Sequence, residues 1–259
     1  MTEKQFIKQL TGEIDEFRKA LSADSGDWVV KGFIDVYKNI YTISVDTKVV
    51  SKIIELMLFP VLLRFSKKHN YKVILSEHQN HYPDMTFIST SGMKIAMDLK
   101  STYRISANRV NGFTLGAFTG YFRNRTSKKN TTFPYSEYSC HIVLGTIYSR
   151  TEADIDERKI YSIDDLHNII SVVRDFDFLV QDKWKIAADH PGSGNTKNIG
   201  SVTNMEELVS GEGPFSKLGK EVFDDYWMNY LTTDMARAID SPIPFHNLKE
   251  YLKWKKRGK

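Results

Sequence analysis

Residues 77–103 read EHQNHYPDMTFISTSGMKIAMDLKSTY, and the fold turns on them. Two short runs of strand character, PDMTFIST and MKIAMDLK, flank a Ser91-Gly92 turn, which is the pattern of a β-hairpin. The second run alternates cleanly. Ile95, Met97 and Leu99 are expected on one face, and Ala96, Asp98 and Lys100 on the other. Asp98 and Lys100 therefore stand side by side, and Asp84 reaches the same end of the hairpin if the strands pair about the turn. Two carboxylates and one ammonium at one spot are suited to holding a hard divalent cation and activating a water beside a phosphate. An isolated Asp-x-Lys is commonplace, and each of these residues alone is equally a solvated strand charge. The rest of the chain decides.

The chain has 259 residues, enough to bury a sizeable core as one large domain or a core with a smaller subdomain. Its 41% hydrophobic and 26% charged residues are those of an ordinary soluble globular protein. A net charge of +4 is compatible with a polyanionic partner without demanding one. Cys140 is the only cysteine and sits in the apolar run CHIVLGTIY, so a reduced core position is expected and an intrachain disulfide is excluded. The charged start MTEKQFIKQLTGEIDEF is unlike a signal peptide, and IIELMLFPVLL is too short to span a bilayer. A soluble, cytoplasmic protein is expected.

Outward from the hairpin, Phe6, Ile7, Leu10, Ile14, Phe17 and Leu21 have the spacing of one amphipathic helix over residues 3–21. A turn follows at Ser22–Asp27. The aromatic and β-branched run Trp28–Ser44 suggests short strands suited to a subdomain or to a second copy of the chain. Asp46-Thr47 caps a long helix that carries Glu55, and Pro60 should kink or interrupt it. Glu55 is either an exposed helix glutamate or a third carboxylate near the Asp84–Asp98 pair. The stretch after the hairpin holds Arg104, Arg109, Arg123, Arg125, Lys128 and Lys129 among hydroxyl and aromatic residues; it suits phosphate contacts, or is a solvated basic loop. Residues 151–177 read as an acidic surface excursion with a short helix, and no chemistry is assigned to them.

VQDKWKIAADH reads as a strand leading into the loop PGSGNTKNIGS, residues 191–201. No GxxxxGK[ST] motif is present, so this is not a nucleotide-phosphate loop. It is a plain glycine-rich turn or a loop that approaches base edges, with Asn195 offering both a donor and an acceptor. A helix capped by Ser216 should bury Leu218, Val222, Phe223, Tyr226, Trp227 and Tyr230, and a last helix ends in a basic tail. His78 and His81 lack the partners of a histidine metal site.

Pro83-Asp84 followed by Asp98-Leu99-Lys100 resembles the PD-(D/E)xK nuclease signature. VDTKVVSKIIELM, QNHYPDMT, KIAMDLKSTY, FTLGAFTGYFRN, FLVQDKWKIA and GSGNTKNIGS are similar, in order, to segments of the EcoRV-like type II restriction endonucleases, from about residue 45 to the end. That resemblance implies an α/β (α+β) fold, with a mixed central sheet flanked by helices. It implies a single restriction endonuclease domain over 1–259, with roughly the first 45 residues contributing to dimerisation and the remainder cutting and reading DNA. It implies a Mg²⁺-dependent homodimer on double-stranded DNA, cutting GATATC at its centre to blunt ends, with a cognate methyltransferase in the host. Asp84 and Asp98 would be metal ligands, Glu55 an accessory carboxylate, and Lys100 the group that stabilises the phosphorane or helps activate the water. Gly192, Ser193, Gly194, Asn195, Thr196, Lys197 and Asn198 would form the base-reading loop. Gln79 and Asn80 would sit near the minor groove, Thr47 and Lys48 close to the DNA, and Thr102 near the scissile backbone. Lys197 departs from the threonine of the family pattern and Gly120 from its serine, which touches specificity and not chemistry. A PD-(D/E)xK repair or junction nuclease is the alternative within the class. An inactive DNA-binding protein is the alternative outside it, and a paired-carboxylate acid–base hydrolase is more distant.

Overall fold

A computed structural model describes residues 2–78, 81–153, 155–192 and 196–258. The chain opens with α1 (Glu3–Thr11), started by a capping box in which Thr2 and Gln5 exchange hydrogen bonds, and α2 (Ile14–Leu21). The expected single helix is thus two. Gly12 ends the first, and the buried Glu13 between them accepts from Lys68 Nζ at 2.6 Å. The break lets Phe6, Leu10, Phe17 and Leu21 all face the same core.

A hairpin of β1 (Gly32–Ile34) and β2 (Ile40–Thr42) then precedes α3 (Thr47–Lys68). The Asp46 carboxylate caps α3 by accepting from the N–H groups of Lys48 and Val49. The helix runs on through Pro60 instead of stopping there. Pro60 is exposed, and so is Leu56, whose carbonyl it deprives of a donor and leaves to solvent.

Next come β3 (Lys72–Leu75), β4 (Met85–Ile88), β5 (Lys94–Ser106), β6 (Arg109–Val110) and β7 (Thr114–Ala117). They are followed by β8 (Tyr138–Arg150), β9 (Ile160–Tyr161) and β10 (Val173–Asp182). The excursion after β8 holds β9 and a short 3₁₀ turn at Ile163–Asn168, and its last residues already belong to β10. The run VQDKWKIAADH is not one strand. A single helical turn, α4 (Lys183–Ile186), separates β10 from β11 (Ala187–Pro191) and buries Lys183 and Ile186. The chain continues with β12 (Asn198–Ser201), α5 (Met205–Ser210), α6 (Lys220–Asn229), α7 (Thr233–Ala238) and α8 (Leu248–Lys256). The cap of α6 is Gly219 at φ +93°, not Ser216, and Leu218 before it is exposed.

The main sheet has the order β10-β8-β5-β4-β3, with β6 attached to β5. The β5–β8 pair is parallel, and the other pairs of this sheet are antiparallel, so the sheet is mixed as expected. Alternation along the strands splits the core in two. Ile95, Met97, Ile142 and Leu144 meet α1, α2 and α3 on one face. Ala96, Val143 and Leu179 meet the aromatic side chains of α6 and α8 on the other. Cys140 is buried and free, and burial pushes its thiol up. Two smaller sheets, β1-β2-β9 and β11-β12-β7, flank the main one. Among the described residues no helix is long and apolar enough to cross a membrane.

Candidate active site

The β4–β5 register pairs Met85 with Met97, which brings Asp84 and Asp98 to one end of the hairpin. Asp84 N–H points at Asp98 Oδ1 at 3.4 Å, and Leu99 N–H donates to Asp84 Oδ2 at 2.8 Å. Lys100 Nζ stands 3.2 Å from Asp84 Oδ2 and 3.7 Å from Asp98 Oδ2. The three residues picked out by alternation therefore meet. Asp98 is 5% exposed. Burial pushes its carboxyl up; Lys100 works against that and Asp84 adds to it. Burial works to lower the Lys100 ammonium, but Asp98, Asp84 and Glu55 outweigh it and hold the group above the usual lysine range.

Behind the pair, Tyr82 stacks on Tyr121 at 4.8 Å, and its hydroxyl is 2.6 Å from His141 Nδ1. Burial raises both phenols and drives His141 well below its ordinary value, so the imidazole is neutral. Burial also pushes the Lys183 ammonium down to about 8, against the pull of Asp98. Tyr82, Tyr121, His141 and Lys183 were not singled out from sequence. The signal available was thin: a lysine inside the apolar run FLVQDKWKIA and aromatic residues bordering the Pro83-Asp84 step.

Glu55 comes from α3, on the side of β5 where Ser101 Oγ donates to Ser51 Oγ at 2.6 Å. It accepts from Lys52 Nζ at 2.7 Å and borders a cavity of about 40 Å³ with Ser51, Lys100 and Thr146. Glu55 thus faces the same small cavity as Lys100, and its charge acts on the Lys100 ammonium together with those of Asp98 and Asp84. The pair itself fits Mg²⁺, which takes one or two carboxylates with waters and substrate phosphate. The position of the Lys100 ammonium between the two carboxylates shows that this spot accepts a cation.

A cleft of about 320 Å³ runs past Lys100 and is lined by Thr47, Lys48, Thr102 and Gly112. Thr47 and Lys48 are exposed at its rim, and Thr102 is buried with its hydroxyl unpartnered among the described residues. The strands on either side of the glycine-rich stretch, β11 and β12, pair antiparallel. Gly192 N–H donates to Asn198 O at 3.0 Å, Asn198 pairs with Ala117, and Phe118 N–H donates to Lys197 O at 3.0 Å. Lys197 is exposed and Thr196 half-buried. Ser193, Gly194 and Asn195, with Gln79 and Asn80, lie outside the described residues.

The basic stretch divides. Arg104 donates to Asp175 O at 2.6 Å, Arg125 to Asp224 Oδ2 at 2.8 Å, and Arg123 to the carbonyls of Phe118 and Tyr230. These three are internal clamps, while Arg109, Lys128 and Lys129 are exposed. In the C-terminal tail Lys255 pairs with Asp225 at 2.8 Å, and Lys253, Lys256 and Arg257 are exposed.

The family model of restriction endonuclease EcoRV matches residues 24–256. The chain is 37% identical over 243 residues to the type II restriction enzyme EcoRV of Escherichia coli, covering 93% of this chain and 96% of that one. Among solved structures, the NlaIV restriction endonuclease aligns over 98% of this chain and 96% of its own, at a TM-score of 0.43 and 14% identity. The family match and the extent of the identity settle what the hairpin geometry suggested: the chain belongs to the EcoRV family of restriction endonucleases.

Proposed function

We propose that this enzyme cuts both strands of DNA at GATATC, at the centre and to blunt ends, as a Mg²⁺-dependent homodimer. The observation that carries the reading is the meeting of Asp84 and Asp98 with Lys100, which itself lines a cleft rimmed by Thr47 and Lys48 with Thr102 in its wall. Asp84 and Asp98 are the residues to hold the cation. When bound, Mg²⁺ supplies Lewis-acid polarisation of the scissile phosphate and an acidified water. Lys100 places a fixed positive charge where negative charge builds up on the phosphoryl oxygens, and it can steady the attacking water. The neighbouring Tyr82 and Tyr121 rings limit bulk water on the buried side of Asp98. Thr47 and Lys48 take the backbone at the cleft mouth. Glu55, paired to Lys52, acts at one remove by biasing Lys100.

The hairpin loop Gly192–Asn198 supplies base contacts, with Gln79 and Asn80 on the minor-groove side. A palindrome calls for two copies related by a two-fold axis. The small sheet β1-β2-β9 supports that. Phe33, Ile34, Tyr41 and Ile160 are each more than two-fifths exposed there, an apolar surface suited to its own copy. On this reading the first 45 residues contribute to dimerisation through β1 and β2, and residues 46–259 cut and read. A cognate methyltransferase protects the host's own sites.

The test is a digest of a linear duplex bearing one GATATC site, with Mg²⁺ at several salt concentrations and Asp98→Ala alongside. Two blunt fragments from wild type alone are expected. Cleavage elsewhere moves attention to Lys197, and binding without cleavage of any DNA sinks the enzymatic reading.

A further inference from the structure

Lys183 is a buried charge that the chemistry above does not use. Its residue is 1% exposed, and its Nζ has no hydrogen-bond partner among the described residues. The ammonium lies 5.0 Å over the Tyr82 ring. A Cβ at Gly116 would come within 3.5 Å of Nζ and 3.2 Å of Tyr121 Oη, so the lysine tip uses space that a glycine leaves open. Asp98 attracts it and Lys100 repels it. An ammonium out of water without a hydrogen bond is costly, and an apolar chain of that length would pack there at less cost.

The charges around it can be paired off. Glu55 is matched by Lys52, and Asp224 by Arg125. That leaves Asp84 and Asp98 against Lys100 and Lys183, two negative and two positive charges. A dication entering this neutral, partly buried site is drawn by two carboxylates and repelled by two ammoniums. It also brings two charges that nothing local offsets. A phosphate arriving with it supplies the missing negative charge.

We propose that Lys183 is a positioning residue whose charge makes cation binding at Asp84 and Asp98 depend on a bound phosphate. The proposal rests on the nuclease reading of the site and adds a reason why the cation and the DNA come together. With a neutral side chain at 183 the site carries a net negative charge and takes the cation alone.

The test is calorimetric titration of the DNA-free protein with Ca²⁺, and with Tb³⁺ read by tyrosine-sensitised luminescence, for wild type, Lys183→Met, Lys183→Gln and Asp98→Asn. Both neutral Lys183 variants should bind Ca²⁺ roughly tenfold tighter than wild type, or more, from the loss of one nearby charge. A GATATC duplex should narrow that gap. A lysine with a merely structural role would leave affinity unchanged or weaken it, and either result in a folded variant overturns the proposal. Failure of both variants to fold makes the ammonium a structural requirement and overturns it too. Equal Ca²⁺ binding by wild type and Asp98→Asn with the GATATC duplex bound would instead sink the nuclease reading of the site.

Discussion

The Leu99 backbone N–H holds Asp84 Oδ2 at 2.8 Å, so one carboxylate of the pair is fixed by the strand that carries the other. Asp84 is thereby aimed without help from a metal, and the site is preorganised. Asp98 has no comparable freedom, being almost fully buried.

Asp98→Asn should lower the single-turnover cleavage rate by about 10³-fold or more, since it removes a ligand charge from the reaction centre. The melting temperature should change little, because relief of a buried carboxylate is offset by loss of the charge that faces Lys100 and Lys183. DNA binding, measured by gel shift in Ca²⁺, should persist. Cleavage within about tenfold of wild type would remove Asp98 from the chemistry.

Glu55→Gln should be mild. Glu55 is engaged with Lys52 and acts on Lys100 only as the last of the charges that raise it, so the rate should fall by no more than about tenfold. Lys52→Met, which leaves Glu55 unpaired, should lower the dependence on Mg²⁺ concentration more than Glu55→Gln does. A loss with Glu55→Gln as large as with Asp98→Asn would place Glu55 among the metal ligands.

Gly200→Ala tests the hairpin. A Cβ at 200 would lie 2.8 Å from Gly192 Cα, a backbone clash that no side-chain rotation relieves. The variant should lose about 1–3 kcal/mol of stability. Its discrimination between GATATC and single-mismatch duplexes should also fall, whereas a spared preference would detach the hairpin from recognition.

His141 should make stability fall in mild acid. Burial and the nearby Lys183, Lys220 and Arg125 charges hold its native pKa well below the ordinary imidazole value of about 6.5. The unfolded chain therefore takes up a proton below pH 6.5 that the folded chain refuses, and stability drops as pH falls. His141→Asn offers Tyr82 an acceptor but cannot charge. Below about pH 6 the stability of wild type relative to this variant should drop by about 1.4 kcal/mol per pH unit. Parallel pH profiles in denaturant melts would show that His141 is not the titrating group.

Replacing Phe33 and Ile34 by Asp should yield monomers by light scattering, with the fold kept by circular dichroism. These side chains are 52% and 59% exposed and contribute little to the protomer core. A persistent dimer would place the two-fold contact elsewhere.

The hairpin and its charged cluster were legible in the chain because alternation, the Ser91-Gly92 turn and the Asp-x-Lys spacing are all local. Helix breaks were less so. The apolar spacing of residues 3–21 continues across Gly12, and nothing local marks that Glu13 is wanted by Lys68 far down the chain. Ser216 looked like a cap, but the backbone takes its turn at Gly219, where a positive φ is free of strain. The inward turn of Arg104, Arg123 and Arg125 depends on acceptors in β10, α6 and the segment after it, which no window on the sequence contains. Lys183 is the extreme case, since its surroundings are assembled from Tyr82 and Gly116, on other strands and loops.

The parallel pairing of β5 with β8 sets Lys94 beside Tyr138 and so spans the whole basic excursion between them. Such a non-local pairing is slow to close, and the strand it locks in place is the one that carries Asp98 and Lys100. Asp98 and Lys100 thus lie on a strand held on one side by a local hairpin partner, β4, and on the other by a partner from beyond the basic excursion, so a change in the length of that excursion strains the strand that carries both residues.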